Sequence, residues 1–342
     1  MTLEGTILVG GRFQPVEGRV VIEDGTIQAV EEVSVDAEDI VFPAFVNAHT
    51  HLGDSVAKDA GEGLPLEELV APPDGLKHRL LADATVDELV AAMSRSIRVM
   101  EATGTAAFID FREGGPDGVE ALREAASGRS PRAIIMGRGD TEVLAVADGF
   151  GASGAADADF REERQAARDA GKPFAIHAGE VGPEDIEPAL ALDPDLLVHM
   201  VHAERSHLER VADADIPIAV CPRSNLVTGV GLPDIATLQE YTTVALGTDN
   251  VMLNSPSMFR EMATAAQCCD LDPATVLDMA TRAGYEMAGL EGGIVEAGAP
   301  ARLTILDGES DNLAGTRSPR RAVVHRATAA DVKGVVLPAE EE

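Results

Sequence analysis

Four short apolar runs each end in a metal ligand or a proton-handling group: Phe42-Pro-Ala-Phe-Val-Asn-Ala-His-Thr-His51, Phe174-Ala-Ile-His-Ala-Gly-Glu180, Leu196-Leu-Val-His-Met-Val-His202 and Val244-Ala-Leu-Gly-Thr-Asp249. Short apolar runs bounded by turn residues read as buried strands. Side chains in a strand alternate faces, so His49 and His51 are expected to project the same way and to grip one ion. The later runs add a third imidazole and a carboxylate. Neutral imidazoles with one hard oxygen suit Zn²⁺ or Fe²⁺, and a position left to water turns that water into a nucleophile near neutral pH. One His-x-His pair alone would be weak evidence. Four such strand ends in order are strong evidence, because in a parallel barrel all the strand C-termini meet at one mouth.

The rest of the chain supplies the barrel. Strand patterns ending near His49 and at 104–111, 133–136, 143–149, 174–176, 196–198, 217–220 and 244–246 make eight, with helical patterns between them. The clearest helix runs over 86–100, where Thr85 and Glu88 have the spacing of a capping box. Both ends of the chain read as short strands, at 6–9, 19–23 and 26–30 and again at 301–306, 322–325 and 332–337. The expected fold is therefore α/β: a (β/α)8 TIM-like barrel over 44–297, inserted into a small β-sandwich built from 1–43 and 298–342.

Composition bounds the partners. The formal charge of the 342 residues is −32, and only four of the 27 basic residues are lysines. Such a surface repels itself in dilute buffer and is screened at molar salt, where the Debye length is about 3 Å. It reads as the cytoplasmic surface of a halophile's enzyme. With no basic stripe, nucleic acid and anionic membrane are excluded as partners. The N-terminus lacks a signal peptide's cationic region, and no apolar stretch approaches 18 residues. Cys221, Cys268 and Cys269 form neither a disulfide framework nor a zinc knuckle. The expected partner is a small-molecule substrate, with self-association of the chain left open.

Taken with Cys221-Pro-Arg-Ser-Asn225 and Gly247-Thr-Asp-Asn250, the segments Asn47-Ala-His-Thr-His51, His177-Ala-Gly-Glu180 and His199-Met-Val-His202 resemble the amidohydrolase superfamily. The likeness is to its cytosine, guanine and S-adenosylhomocysteine deaminase branch, and it covers nearly the whole chain. The resemblance implies one divalent metal, zinc ahead of iron, on His49, His51, His177 and Asp249. It implies that Glu180 shuttles a proton from the attacking water to a ring nitrogen and the leaving amine, while His199 and Asp249 assist that water. His202, Asn225 and Arg112 are candidate substrate contacts, and 61–81 a candidate lid. The implied activity is deamination of a nucleobase, nucleoside or related heterocycle. The alternative is a hydrolase of the same fold that opens a cyclic amide or displaces chloride or an alkylamine. A dinuclear centre would need a lysine after the fourth strand, and 143–155 contains none.

Overall fold

A computed structural model describes residues 1–70 and 74–338. The chain opens with an antiparallel meander of β1 (Thr2–Val9), β2 (Gln14–Glu23) and β3 (Thr26–Glu32), and β4 (Ile40–Pro43) then lies parallel to β1. In β2 the period of two is plain: Gly18, Val20 and Ile22 are buried, while Glu17 and Glu23 are exposed.

The middle of the chain is a parallel sheet of β5 (Phe45–His51), β6 (Thr105–Arg112), β7 (Arg132–Gly137), β8 (Gly149–Gly154), β9 (Phe174–Ala178), β10 (Leu196–His199), β11 (Ile218–Val220), β12 (Val244–Leu246) and β13 (Asp249–Asn250). Neighbours follow chain order from β5 to β12, and β13 pairs with the other edge of β5, Asp249 opposite Thr50 and Asn250 opposite His51. Since β12 and β13 are one path of chain interrupted by Gly247 and Thr248, the sheet closes into a TIM-like barrel. Ala48, Ile109, Phe111, Met136, Ala175 and Val198 pack inside it. Phe45, Phe108, Phe150, Phe174, Ile176 and Leu246 pack outside, against the helices. The first helices are α1 (Leu66–Val70), α2 (Leu76–Asp83), α3 (Val86–Ala102) and α4 (Gly115–Ala126). The Thr85–Glu88 capping box is formed at the start of α3, as its spacing predicts.

Three expectations need correcting. The two ends of the chain do meet, but β14 (Leu303–Leu306) and β15 (Val332–Val336) extend the first four strands into one sheet, ordered β15-β14-β4-β1-β2-β3. Among the described residues these strands form one hydrogen-bonded layer rather than a sandwich. The run 322–325 is helical, within Pro319–His325: Ser318 accepts a hydrogen bond from the Arg321 N–H and Pro319 fits the first turn, so capping overrides the β-branched pair Val323-Val324. The fourth barrel strand also lies later than 143–149. A 3-10 turn at Thr141–Ala145, capped by Asp140, precedes it, and β8 is the glycine-rich Gly149–Gly154. A side chain at Gly151 would stand 2.9 Å from the Phe111 ring, so barrel filling dictates that composition. Of the expected lid, Ala71, Pro72 and Pro73 lie outside the described residues, and α1 and α2 flank them.

Candidate metal centre and active-site cavity

β5 carries His49 and His51, β9 carries His177, and β13 begins with Asp249. The Nε2 of His177 lies 3.2 Å from that of His49 and 3.3 Å from that of His51. Asp249 Oδ1 lies 3.4 Å from His49 Nε2 and 3.6 Å from His51 Nε2. Donors held about 2.0–2.1 Å from one zinc at tetrahedral angles stand about 3.3–3.4 Å apart. His177 Nδ1 meets the Ala152 carbonyl at 2.9 Å, and His51 Nδ1 meets the Phe111 carbonyl and Glu113 Oε1, each at 3.1 Å. A proton on each Nδ1 leaves the facing Nε2 atoms with lone pairs aimed at each other. That arrangement is stable only around a cation, so the donor set fits a divalent ion.

The local electrostatics agree. Burial holds His49 and His177 below their ordinary range, and burial with the nearby Lys77 pushes His51 down to about 3, so all three imidazoles are neutral. Burial alone would raise Asp249, but a proton shared with His49 and positive charge on the imidazoles beside it hold it well below the usual carboxylate range, so it faces the site ionised whether protons or a bound cation supply that charge. Neutral imidazoles with an ionised carboxylate are the state that metal binding requires.

Several local features place these groups. The Asn47 carboxamide accepts from Thr248 N at 3.0 Å and donates to Thr248 Oγ1 at 2.7 Å, pinning the break after β12 to β5. At Gly247 a Cβ would stand 2.7 Å from the Cβ of His49, so only glycine fits beside that histidine. Asp249 has a left-handed backbone, φ 56°, and its Oδ2 accepts from Ser224 Oγ at 2.5 Å. His199, φ 77°, also leaves the strand pleat: Leu196 and Val198 face the barrel interior, so strict alternation would have sent His199 to the helix side. Instead its ring sits 5.4 Å from that of His177, and its Nε2 lies 3.6 Å from Glu180 Oε2. Burial pushes the Glu180 carboxyl above its ordinary range, with His199 opposing.

His51, His177, Glu180, His199 and Asp249 line a cavity of about 900 Å³ at the C-terminal mouth of the barrel, with Leu66 and Val70 of α1 also in its wall. His202 is in its wall, with Nε2 3.1 Å from the Val230 carbonyl. Two expected substrate contacts are placed elsewhere. Asn225 is buried behind His199, its Nδ2 3.3 Å from His199 Nδ1, and is turned from the cavity. Arg112 is buried, donates from Nε to the Gly118 carbonyl at 3.2 Å, and stands behind Glu113. Sequence reasoning missed Glu113, Lys77, Arg138 and Ser224. Glu113 Oε1 is the shared acceptor of His51, Lys77 at 2.7 Å and Arg138 at 3.3 Å, and Lys77 and Arg138 reach the cavity wall. A scarce lysine close to the lid was the one signal available.

Residues 40–338 match the Amidohydrolase family. The chain belongs to that family. This amidohydrolase is 38% identical over 347 aligned positions to a provisionally named aminohydrolase of Methanothermobacter thermautotrophicus, covering 89% of this chain and 90% of that one. It is 26% identical to a 5-methylthioadenosine/S-adenosylhomocysteine deaminase of Halobacterium salinarum, covering 94% of this chain and 85% of the deaminase. Its fold is similar to that of the atrazine chlorohydrolase of Arthrobacter aurescens, solved with zinc, with TM-score 0.79 and 20% identity over 98% and 94% of the two chains. As an amidohydrolase it is a metal-dependent hydrolase acting on C–N bonds other than peptide bonds. No helix among the described residues is long and apolar enough to cross a membrane.

Proposed function

We propose that this amidohydrolase deaminates an aminated heterocycle, either a nucleobase, a nucleoside or a close relative. One divalent ion is held by His49, His51, His177 and Asp249, and zinc is the ion the tetrahedral donor spacing favours. The observation that carries the reading is Glu180: a carboxyl raised by burial, 3.6 Å from His199 and beside the donor set in one cavity. When bound, the ion supplies a Lewis acid that lowers the pKa of a water toward 7.

The chain's own residues do the rest. Glu180 takes one proton of the attacking water and passes it to the ring nitrogen beside the attacked carbon; the second proton of that water is then relayed to the amine, which leaves as ammonia as the carbonyl forms. His199, held at Nδ1 by Asn225, keeps its Nε2 turned to the nucleophile. Asp249, fixed by Ser224 and Asn250, accepts a hydrogen bond from the same water. His202 and Arg138 stand in the wall where a substrate's periphery would lie. The related deaminase supports this substrate class, and the acidic surface supports a cytoplasmic setting in molar salt.

The test is ammonia release from the zinc-loaded protein in molar KCl, against aminopurines, aminopyrimidines, adenosine derivatives and aminated pterins. Turnover of at least one class is expected. Silence on all of them, with chloride or alkylamine released from a triazine, would transfer the site to the displacement reaction.

A further inference from the structure

Lys77 is one of only four lysines in the chain, and its side chain is 3% exposed. It comes from α2, which packs on the 3-10 turn Leu52–Ala57 directly after His51, and not from a barrel strand. Its Nζ donates to Glu113 Oε1 at 2.7 Å and to Asn250 Oδ1 at 3.0 Å, with Asp54 Oδ2 4.0 Å away. Each of the two acceptors leads on to a proposed metal ligand. Glu113 Oε1 meets His51 Nδ1 at 3.1 Å, and Asn250 Nδ2 donates to Asp249 Oδ1 at 3.0 Å. From one ammonium, two short chains of hydrogen bonds therefore reach two of the four ligands, one on each side of the β5–β13 seam.

We propose that Lys77 is a positioning residue that fixes His51 and Asp249 together, so that the metal site is completed by a helix of the segment over the mouth. The inference rests on the metal reading given above. An ammonium has three donors and no acceptor, so it turns the Asn250 carboxamide with its oxygen inward and its nitrogen toward Asp249. It also holds the Glu113 carboxylate against His51 Nδ1, which fixes the orientation of that ring as a ligand. A neutral side chain could do neither, and it would leave Glu113 and Asp54 facing each other with one fewer cation between them. The expected consequence is that displacing α2 loosens the ion.

The experiment is zinc affinity by competition with a chromophoric chelator in molar KCl, with the visible spectrum of the cobalt-loaded protein as a second readout. Wild-type protein is expected to hold one ion. Lys77→Met should bind zinc about 10–100-fold more weakly, the range for loss of a ligand's hydrogen-bond partner, and should shift the cobalt bands. Glu113→Gln should weaken binding in the same range. The double variant should lose less than the product of the two, because both cut one chain. Arg79→Ala, on the exposed face of α2, should bind as wild type. Wild-type affinity and an unchanged cobalt spectrum in Lys77→Met would overturn the proposal while leaving the metal site standing. If Lys77→Met does not fold, wild-type affinity in both Glu113→Gln and Asn250→Ala would overturn it instead. A wild-type protein that holds no zinc would remove the metal reading itself, and the inference with it.

Discussion

Glu180 and Asp249 lie in the same cavity and are treated oppositely by it: burial dominates at the first and raises its carboxyl, whereas imidazoles dominate at the second and keep it ionised. Environments that separate two carboxyls in this way suit the proposed division, one for proton transfer and the other for an ion. Glu180→Gln is therefore expected to keep metal and fold while kcat falls about 10²–10⁴-fold, the usual share of general acid–base catalysis. Metal analysis beside ammonia release checks this, and near-normal turnover would reduce Glu180 to a residue of the loop. A third carboxyl makes a pH prediction. Burial pushes Glu261 up to about 7 from 4.5, against the pull of Arg223, whose N–H donates to it at 2.9 Å. The folded state then binds the proton more tightly than the unfolded chain, so this group costs nothing below about pH 4.5, and its cost grows to a plateau above about 7. Glu261→Gln should flatten the decline of stability across that window, measured by denaturant unfolding at both ends; an unchanged slope would place the titration elsewhere. The proposed metal-binding residues were legible because they sit at the ends of three apolar runs, His49 and His51 sharing the first. Glu113 and Lys77 were not, since their roles come from a contact between segments 36 positions apart that no local pattern records. Arg112 was misread for the related reason that it and Glu113 share a strand end, and only packing decides which of them faces the ligand.

At the scale of elements, the seam between β13 and β5 carries the most consequence. The ring of strands closes through a two-residue break, where Gly247 clears His49 and Thr248 is held by Asn47. Gly247→Ala drives a methyl group against the His49 backbone, 2.8 Å from its nitrogen. The expected cost is that of overpacking, about 1–3 kcal/mol, together with loss of zinc because the ligand strand must move. Thermal unfolding and metal content measure the two effects, and full zinc occupancy would show that β5 can give way. Helix α3 was readable from sequence because its cap and its apolar spacing agree. Two elements were not. Pro319–His325 hides two valines behind a cap, and β8 is too rich in glycine to look like a strand, because its composition answers to Phe111 and Met136 on the nearby strands β6 and β7.

For the whole molecule the dominant fact is a net charge of −32 on 342 residues. Screening reaches about 10 Å at 0.1 M salt and about 3 Å at 1 M, so neighbouring surface acids repel at the first concentration and hardly at all at the second. Dilution from molar to about 0.1 M KCl is expected to lower the unfolding temperature, followed by circular dichroism. A constant value would mean that the surface is acidic without being salt-dependent. The sheet shared by the two ends of the chain has a consequence of its own. β4 takes β14 as its antiparallel neighbour, Ile40 opposite Leu306 and Pro43 opposite Leu303, and about 260 residues separate the two strands. At roughly 5–20 residues per second, a ribosome needs some tens of seconds between delivering one and the other. Throughout that interval an apolar strand leading straight into β5 presents an unpaired edge, so the nascent chain is exposed to mispairing and to chaperones until nearly the last of it has emerged.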